Sequence, residues 1–367
     1  MNQKMNMVSL SKSNIALLFF VFFLAVYFYI NVHQQETLQT EPLFTIREES
    51  GNILIYFCPQ DDCEEQLFNL MKGANDSIYC ALYDIKLDSF VESIVAQKSR
   101  GIDIKIITED NTAKNAKSKY DELKEILKEN ITTDEKRSSG KYNNLMHNKF
   151  CIIDKKIVFT GSFNPTHNGA HKNNNNMLVI NSEYLAQNYL DEFREMQNNE
   201  FGDSNSNTVE YPVLKLDTQY GKVNIGNYFC PEDDCQKQVI DILNNANKSI
   251  YFCMFSFTSN DTKEALIDAA ERGVRIYGIF DKTQGGSRYS VFKDLENQNS
   301  SNIDIQKDSN PAFLHHKYFV IDNYITITGS MNPTMSGYFY NDENIIVIDN
   351  QKIAELYLRE YDNRRKD

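Results

Sequence analysis

The 367-residue chain has no tryptophan, and it carries 38 Lys and Arg against 51 Asp and Glu, a formal net charge of −13. The missing tryptophan excludes little, because 23 Phe and 21 Tyr supply aromatic bulk for a core. The missing positive charge excludes more. A protein that coats nucleic acid non-specifically needs a surplus of Lys and Arg against the phosphates. A local basic site passes that test, since Lys141, Lys149, Lys155, Lys156 and Lys172 face only Asp154 between positions 141 and 172. The length leaves room for two ordinary domains, each with its own core.

No small-x-small cleavage site follows Ile30, which argues against a removed signal peptide. What precedes it is the unbroken apolar run Ile15 to Ile30, with Asn31 and Val32 after it. Lys4 and Lys12 lie before the run, Glu36 and Glu41 follow it, and the next basic residue is Arg47. That bias predicts a membrane protein with a single-pass anchor over 15–32, a cytoplasmic tail over 1–14 and the remainder extracytoplasmic.

Beyond Arg47 the chain repeats itself. Phe57-Cys58-Pro59 returns as Phe229-Cys230-Pro231, and Asn75 to Tyr79 returns as Asn247 to Tyr251, both at an offset of 172. His147, Lys149, Asp154, Ser162 and Asn164 return as His315, Lys317, Asp322, Ser330 and Asn332, at an offset of 168. Four extra residues therefore lie in the first copy, and the polar stretch Thr132 to Lys141 is the expected place for them. Each unit, about 145 residues long, suits a duplicated domain and is too long for a solenoid repeat. The expected domains are 50–196 and 223–367, joined by a linker over 197–222. Within each, apolar alternation marks strands and a 3.6-residue period marks helices. The fold class follows: two pseudo-symmetric α/β/α sandwich domains with mixed sheets.

The duplicated residues suit displacement at phosphorus. Imidazole, with an unperturbed pKa near ~6.5, serves as neutral nucleophile or as charged acid. A phosphodiester needs one of each, and two facing units supply the pair, with a covalent phosphohistidine between the half-reactions. Lys149 and Lys317, two residues from their histidines, share a strand face with them. Asn164 and Asn332 would add amide donors, and Ser162 and Ser330 hydroxyls, to the phosphoryl oxygens. No metal or other cofactor is called for. Asp154 and Asp322 complete the candidate catalytic set, although a turn-shaping role suits them better.

His147-x-Lys149 with Asp154, then Gly161-Ser162-Phe163-Asn164, together with the second copy, resembles the signature of the phospholipase D superfamily across residues 50 to 367. The resemblance implies that His147 attacks, that His315 is the general acid and base, and that the lysines and asparagines bind phosphate. The family's Asn-x-Glu-Asn segment is matched by Asn341-Asp342-Glu343-Asn344. The first copy departs from it, with Asn175 where Glu is expected. A carboxylate beside an imidazole favours the imidazolium, and an amide does not. Pairing within each unit would make His315 the better acid; pairing across units would reverse the roles.

The cysteines fall as C-x4-C, at Cys58 and Cys63 and at Cys230 and Cys235. Disulfides within or between the units are the leading expectation in an exported region, ahead of a four-Cys zinc site or free thiols. Cys80, Cys151 and Cys253 read as core residues, His167 and His171 as loop residues near the groove, and His33 and His316 as solvated. The substrate is a phosphodiester. Gly-Ser-x-Asn-Pro-Thr resembles the superfamily's nuclease branch, and the Gly-Ser-x-Asn-x-Asp-x-Arg-Ser pattern of its cardiolipin synthases is missing after Asn164 and Asn332. The anchor points instead to a phospholipid, and the Asn175 departure alone to a scaffold with a decayed site. A monomer suffices, since both half-sites lie in one polypeptide.

Overall fold

Alternating apolar residues in short β-branched runs build two mixed sheets, seen in a computed structural model that describes residues 46–135, 144–202 and 208–366. The expected tail and anchor, and His33, lie outside these residues. No helix among them is long and apolar enough to cross a membrane.

Strand β1 (Arg47–Ser50) is followed by β2 (Asn52–Cys58), β3 (Ser77–Leu82), β4 (Asp103–Thr108), β5 (Ile131–Thr133), β6 (Lys149–Ile153), β7 (Ile157–Gly161) and β8 (Asn175–Asn181). Strands β2 to β8 form a seven-stranded sheet in the order β2-β8-β7-β6-β3-β4-β5. The second copy supplies β9 (Val213–Thr218), β10 (Gly221–Cys230), β11 (Ser249–Met254), β12 (Arg275–Phe280), β13 (Ile303–Lys307), β14 (Lys317–Ile321), β15 (Ile325–Gly329) and β16 (Glu343–Asp349). These eight, with β1 on the edge, make a nine-stranded sheet in the order β1-β9-β10-β16-β15-β14-β11-β12-β13.

Two findings differ from the expected organisation. Residues 213–218 of the expected linker form β9, whose Leu214 and Leu216 are fully buried. β1 belongs to the first copy in sequence yet pairs in parallel with β9. Residues 46–367 accordingly form one compact unit.

Period-two alternation divides each sheet between two cores. Phe150 and Ile152 of β6, and Tyr318 and Val320 of β14, enter a central cluster. That cluster also takes in Tyr189 and Phe193 from the helix Glu183–Gln197 and Tyr357 and Tyr361 from the helix Gln351–Lys366. The opposite faces carry Cys151 and Ile153 against the helices Cys63–Lys72 and Asp88–Ser99, and Phe319 and Ile321 against Cys235–Asn244 and Asn260–Glu271. Each buried ring contributes roughly 1.5–3 kcal/mol by area alone. The closing helices thus fuse the copies through one shared interior.

All seven cysteines are accounted for. Cys58 bonds to Cys63 and Cys230 to Cys235, within each C-x4-C loop, so neither pair is a zinc ligand set. Cys80 and Cys151 are buried, as expected of core residues, but they are also bonded to each other. They stand directly opposite on antiparallel strands β3 and β6. At the matching position the second copy pairs Phe252 with Phe319; Cys253, one residue further on, faces Tyr318 and stays a buried free thiol.

Candidate active site

The histidine segments are strapped across the pseudo-symmetric halves. Met146 bridges Asp342 in parallel, and Leu314 bridges Asn174. The His147 N–H donates to Asp342 O at 3.0 Å, and the His315 N–H donates to Asn174 O at 2.9 Å. The first residue of β16, Glu343, is thereby brought to His147, and the first residue of β8, Asn175, to His315.

Pairing crosses the copies. His147 Nδ1 donates to Glu343 Oε1 at 2.7 Å. His315 Nδ1 donates to Asn175 Oδ1 at 2.8 Å and to Ser162 O at 3.1 Å. The Asn175 amide is oriented by its Nδ2, which donates to Gly169 O at 3.0 Å, so its oxygen faces the ring. In both histidines Nδ1 is engaged, and Nε2 is the atom left for a substrate.

Burial and mutual proximity set the electrostatics. Each histidine is 9% exposed, Lys149 0% and Lys317 2%. Burial pulls the His147 imidazole well below its ordinary range, and Lys149 and Lys317 add to the effect. His315 is lowered in the same way by burial, Lys317, Lys149 and His147. Burial brings Lys149 down to about 7 and holds Lys317 well below its usual value, Lys149 adding to the latter. Both lysines therefore act on both imidazoles, across the two copies. Glu343 is the carboxylate in contact with His147. Burial pushes Glu343 up to about 7, while Lys149, Ser330, Asn341 and Lys317 pull the other way. Four groups that become cationic on protonation, with Glu343 in contact and Asp84 and Asp281 also acting on the lysines, make a site that favours an anion.

Sequence reasoning missed the aromatic seat under each histidine. The Tyr83 ring lies 4.7 Å from the His147 ring, with Lys149 Nζ 5.1 Å from its centroid. Phe255, at the offset of 172, lies 4.8 Å from His315, with Lys317 Nζ 5.2 Å away. An aromatic at one repeat position in both copies was the available signal. Each lysine also donates to its own histidine's carbonyl, Lys149 Nζ at 2.6 Å and Lys317 Nζ at 2.8 Å.

Three expectations are corrected. Asp154 and Asp322, from the candidate catalytic set, sit beyond the far ends of β6 and β14, with φ of 54° and 55°. Seven residues of extended chain, roughly 20 Å, separate each from its histidine. Asp154 accepts from the N–H groups of Asn75, Asp76 and Ser77, and Asp322 from those of Asn247, Lys248 and Ser249. Ser162 and Ser330, expected on phosphate, are fully buried behind the histidines. Ser330 Oγ donates to Glu343 Oε2 at 2.6 Å, and Ser162 Oγ contacts Asn175 Oδ1 at 3.3 Å. His316, expected in solvent, is fully buried against Glu360, with Nε2 to Oε1 at 2.9 Å.

Asn164 and Asn332 are partly buried. Asn332 Oδ1 accepts from the Ser256 N–H at 3.2 Å, and Asn164 Oδ1 is buried without a hydrogen-bond partner. The glycines before the serines are required for close approach. At Gly161 (φ 134°) and Gly329 (φ 148°), a Cβ would lie 2.4 Å from Asn176 O and 2.1 Å from Asn344 O. His167 and His171 lie on a short helix, where His171 Nε2 meets Glu64 Oε2 at 2.7 Å. Among the described residues, no three His, Cys, Asp or Glu side chains are grouped to hold a metal ion.

A doubled half-site within a pair of mixed sheets is the arrangement of phospholipase D-like phosphodiesterases. The chain belongs to this family: the family model described as "Cardiolipin synthase, PLD-like domain" matches residues 67–197 and 239–365. The chain is 28% identical over 188 residues to a protein of Rickettsia prowazekii named "Phospholipase D", an alignment covering 51% of this chain and 85% of that protein. It is 27% identical over 123 residues to "Mitochondrial cardiolipin hydrolase" of Chlamydomonas reinhardtii, covering 34% of this chain and 54% of that protein. The crystal structure of a phosphatidylserine synthase from Haemophilus influenzae Rd KW20 is similar in fold, with a TM-score of 0.59 at 12% identity over 84% of this chain and 85% of that one.

Proposed function

We propose that this chain is a metal-independent phosphodiesterase of phospholipid head groups, working through a phosphohistidine on His147 with His315 as proton donor and acceptor. The observation that carries the reading is that two buried histidines, each with its own lysine, are strapped across the two copies with Nε2 left for a substrate; the family resemblance makes His147 the nucleophile. The His147 Nε2 lone pair attacks phosphorus, a P–N bond forms, and the P–O bond to the alcohol breaks. The His147 ring is then cationic for the life of the intermediate, and Glu343 at 2.7 Å offsets that charge. The proton on His315 Nε2 passes to the departing oxygen. Burial and the lysines make His315 a ready donor, and the bound phosphate's negative charge favours its protonated form beforehand.

In the second half-reaction a water gives its proton to His315 Nε2 and attacks phosphorus. The P–N bond breaks and its electron pair returns to His147. Lys149 and Lys317, with Asn164 and Asn332, hold the non-bridging oxygens. Taken by itself, the crossed pairing, with a carboxylate behind His147 and an amide behind His315, argues for the reverse assignment, with His147 as acid. Trapping the intermediate distinguishes the two.

Support for a phospholipid, over nucleic acid, comes from the names of the relatives and from the net charge of −13. Three disulfides suit an oxidising compartment, and hence an extracytoplasmic catalytic region behind the apolar run 15–32. The test is an assay with EDTA present, on phosphatidylcholine and phosphatidylglycerol vesicles, single-stranded DNA and RNA. Head-group release is expected. Cleavage of nucleic acid alone would replace the substrate class, and inactivity on all would leave a binding protein with a decayed site.

A further inference from the structure

The two halves differ in polarity at matched positions beside the histidines. A five-residue helix follows each Gly-Ser-x-Asn segment, His167–His171 in the first half and Met335–Phe339 in the second. His167 stands where the other half has Met335, His171 where it has Phe339, and Lys172 where it has Tyr340. In the first half His171 is held to Glu64, whose counterpart is Gln236. In the second half Met335 is 59% and Phe339 37% exposed.

Two more exposed apolar side chains leave the same sheet edge. Lys317 pairs with Met254, and Met254 with Phe280, so the start of β14 and the ends of β11 and β12 lie together on the sheet edge next to His315. Tyr289, 66% exposed, lies in the loop after β12, which is tied down by the Val291 N–H donating to Phe257 O at 3.1 Å. Phe313, 41% exposed, packs 5.3 Å from Phe255, which in turn lies 4.8 Å from His315. Arg288 brings a guanidinium to 4.6 Å from the Tyr289 ring. Among the described residues, the exposed large apolar side chains of the first half include Phe68 and Val95, which lie on its outer helices. The matched short helix carries His167 and His171 instead, with Lys172 directly after it.

A polynucleotide would present phosphates to both halves and match poorly a surface that is apolar on one side. A phospholipid at a bilayer surface is apolar on one side of its phosphate and polar on the other. Apolar side chains interleaved with cations characterise surfaces that lie on a membrane rather than across it. We infer that Tyr289, Phe313, Met335 and Phe339 form a docking face that enters the interfacial zone of a phospholipid bilayer. The acyl side of the substrate then lies on the second half and the head group over His167, His171 and Lys172. This inference rests on the phospholipid reading above.

The absence of tryptophan supplies the test, because Met335→Trp in the full chain is a single reporter. With vesicles of phosphatidylcholine and phosphatidylglycerol, its emission shifts to the blue, and brominated acyl chains quench it by half or more. Tyr324→Trp, in the turn between β14 and β15 at the opposite edge, stays water-like. Whatever the N-terminal apolar run contributes is common to both. No quenching at position 335, or equal quenching at both positions, overturns the inference.

The variant Met335→Ser/Phe339→Ser is expected to release head groups from vesicles at least tenfold more slowly. It should hydrolyse soluble bis(p-nitrophenyl) phosphate within twofold of the unaltered chain. Equal loss on both substrates, or on neither, also overturns the inference. An unaltered chain that releases no head group while Met335→Trp is still quenched removes the phospholipid reading and keeps the docking face. Head-group release without quenching does the reverse.

Discussion

Glu343 Oε1 lies 2.7 Å from His147 Nδ1, although 196 positions separate the two residues and each belongs to a different copy of the repeat. Its counterpart in the other direction is an amide, Asn175 Oδ1, at 2.8 Å from His315 Nδ1. The duplication is therefore symmetric in its backbone straps and asymmetric in charge. That asymmetry separates the chemical roles of two imidazoles that are otherwise equally buried.

Replacing Glu343 by Gln keeps the shape and removes the charge behind His147. Turnover is expected to fall on the order of 10²-fold. The melting temperature should not fall, because a carboxyl pushed up to about 7 by burial is costly to keep ionised. Head-group release and thermal melting read the two effects. A rate within threefold of the unaltered chain would leave Glu343 without its role.

Asn175→Glu places a carboxylate beside His315. The neutral amide now does nothing to offset the burial and the two lysines that hold this imidazole low. A carboxylate raises it, so the alkaline limb of kcat against pH, where His315 loses its proton, should move up by about one unit or more. An unmoved limb would disconnect position 175 from the acid.

Glu232 carries the clearest effect on stability. Burial, with Asp342 contributing, pushes its carboxyl up to about 9. Between its unfolded value near 4.5 and about 9, the folded chain holds a proton that the unfolded chain has lost, so stability falls as pH rises through that window. Glu232→Gln removes this group's share of the slope, leaving that of its buried neighbour Glu192, and should stabilise the protein at pH 8 by on the order of a few kcal/mol. Gln60 occupies the equivalent position in the first copy, so the substitution suits the site. Melting temperature against pH checks it; a slope no shallower than that of the unaltered chain would assign the dependence elsewhere.

Asp154→Asn and Asp322→Asn should lower stability by about 1–2 kcal/mol each, since each carboxylate gathers backbone N–H groups into a loop. Against the opposing effect of burial, the N–H groups of Asp76, Ser77 and Asn75 hold the Asp154 carboxyl below its usual range. Its contribution is thus present above about pH 4 and lost as the pH falls through the folded value. Turnover at neutral pH should stay within threefold, and a large loss of rate without loss of melting temperature would return the aspartates to the catalytic set.

Much of this was legible because the chain carries its own comparison. The repeat marked the histidines, lysines and asparagines, and apolar alternation marked strands of both mixed sheets. Composition misled where alternation was available. Val213-Leu214-Lys215-Leu216 alternates as a strand does, yet the polar residues around it read as a linker. His316 is a second case. His315 and Lys317 share a face, so His316 must point with Tyr318 and Val320, into the central core.

The rest required three dimensions. The bridges of Met146 to Asp342 and Leu314 to Asn174 join the two copies, and no local pattern encodes a contact at that separation. Cys80 and Cys151 depend on the register of β3 against β6, which a one-residue slip would abolish.

Mass spectrometry of the trapped intermediate tests the central claim most directly. Quenching during turnover, followed by proteolysis at alkaline pH, preserves an acid-labile phosphohistidine. His315→Ala is expected to accumulate the adduct on the peptide containing His147, and His147→Ala to form none. An adduct on His315, or turnover by either variant near the unaltered rate, would contradict the account.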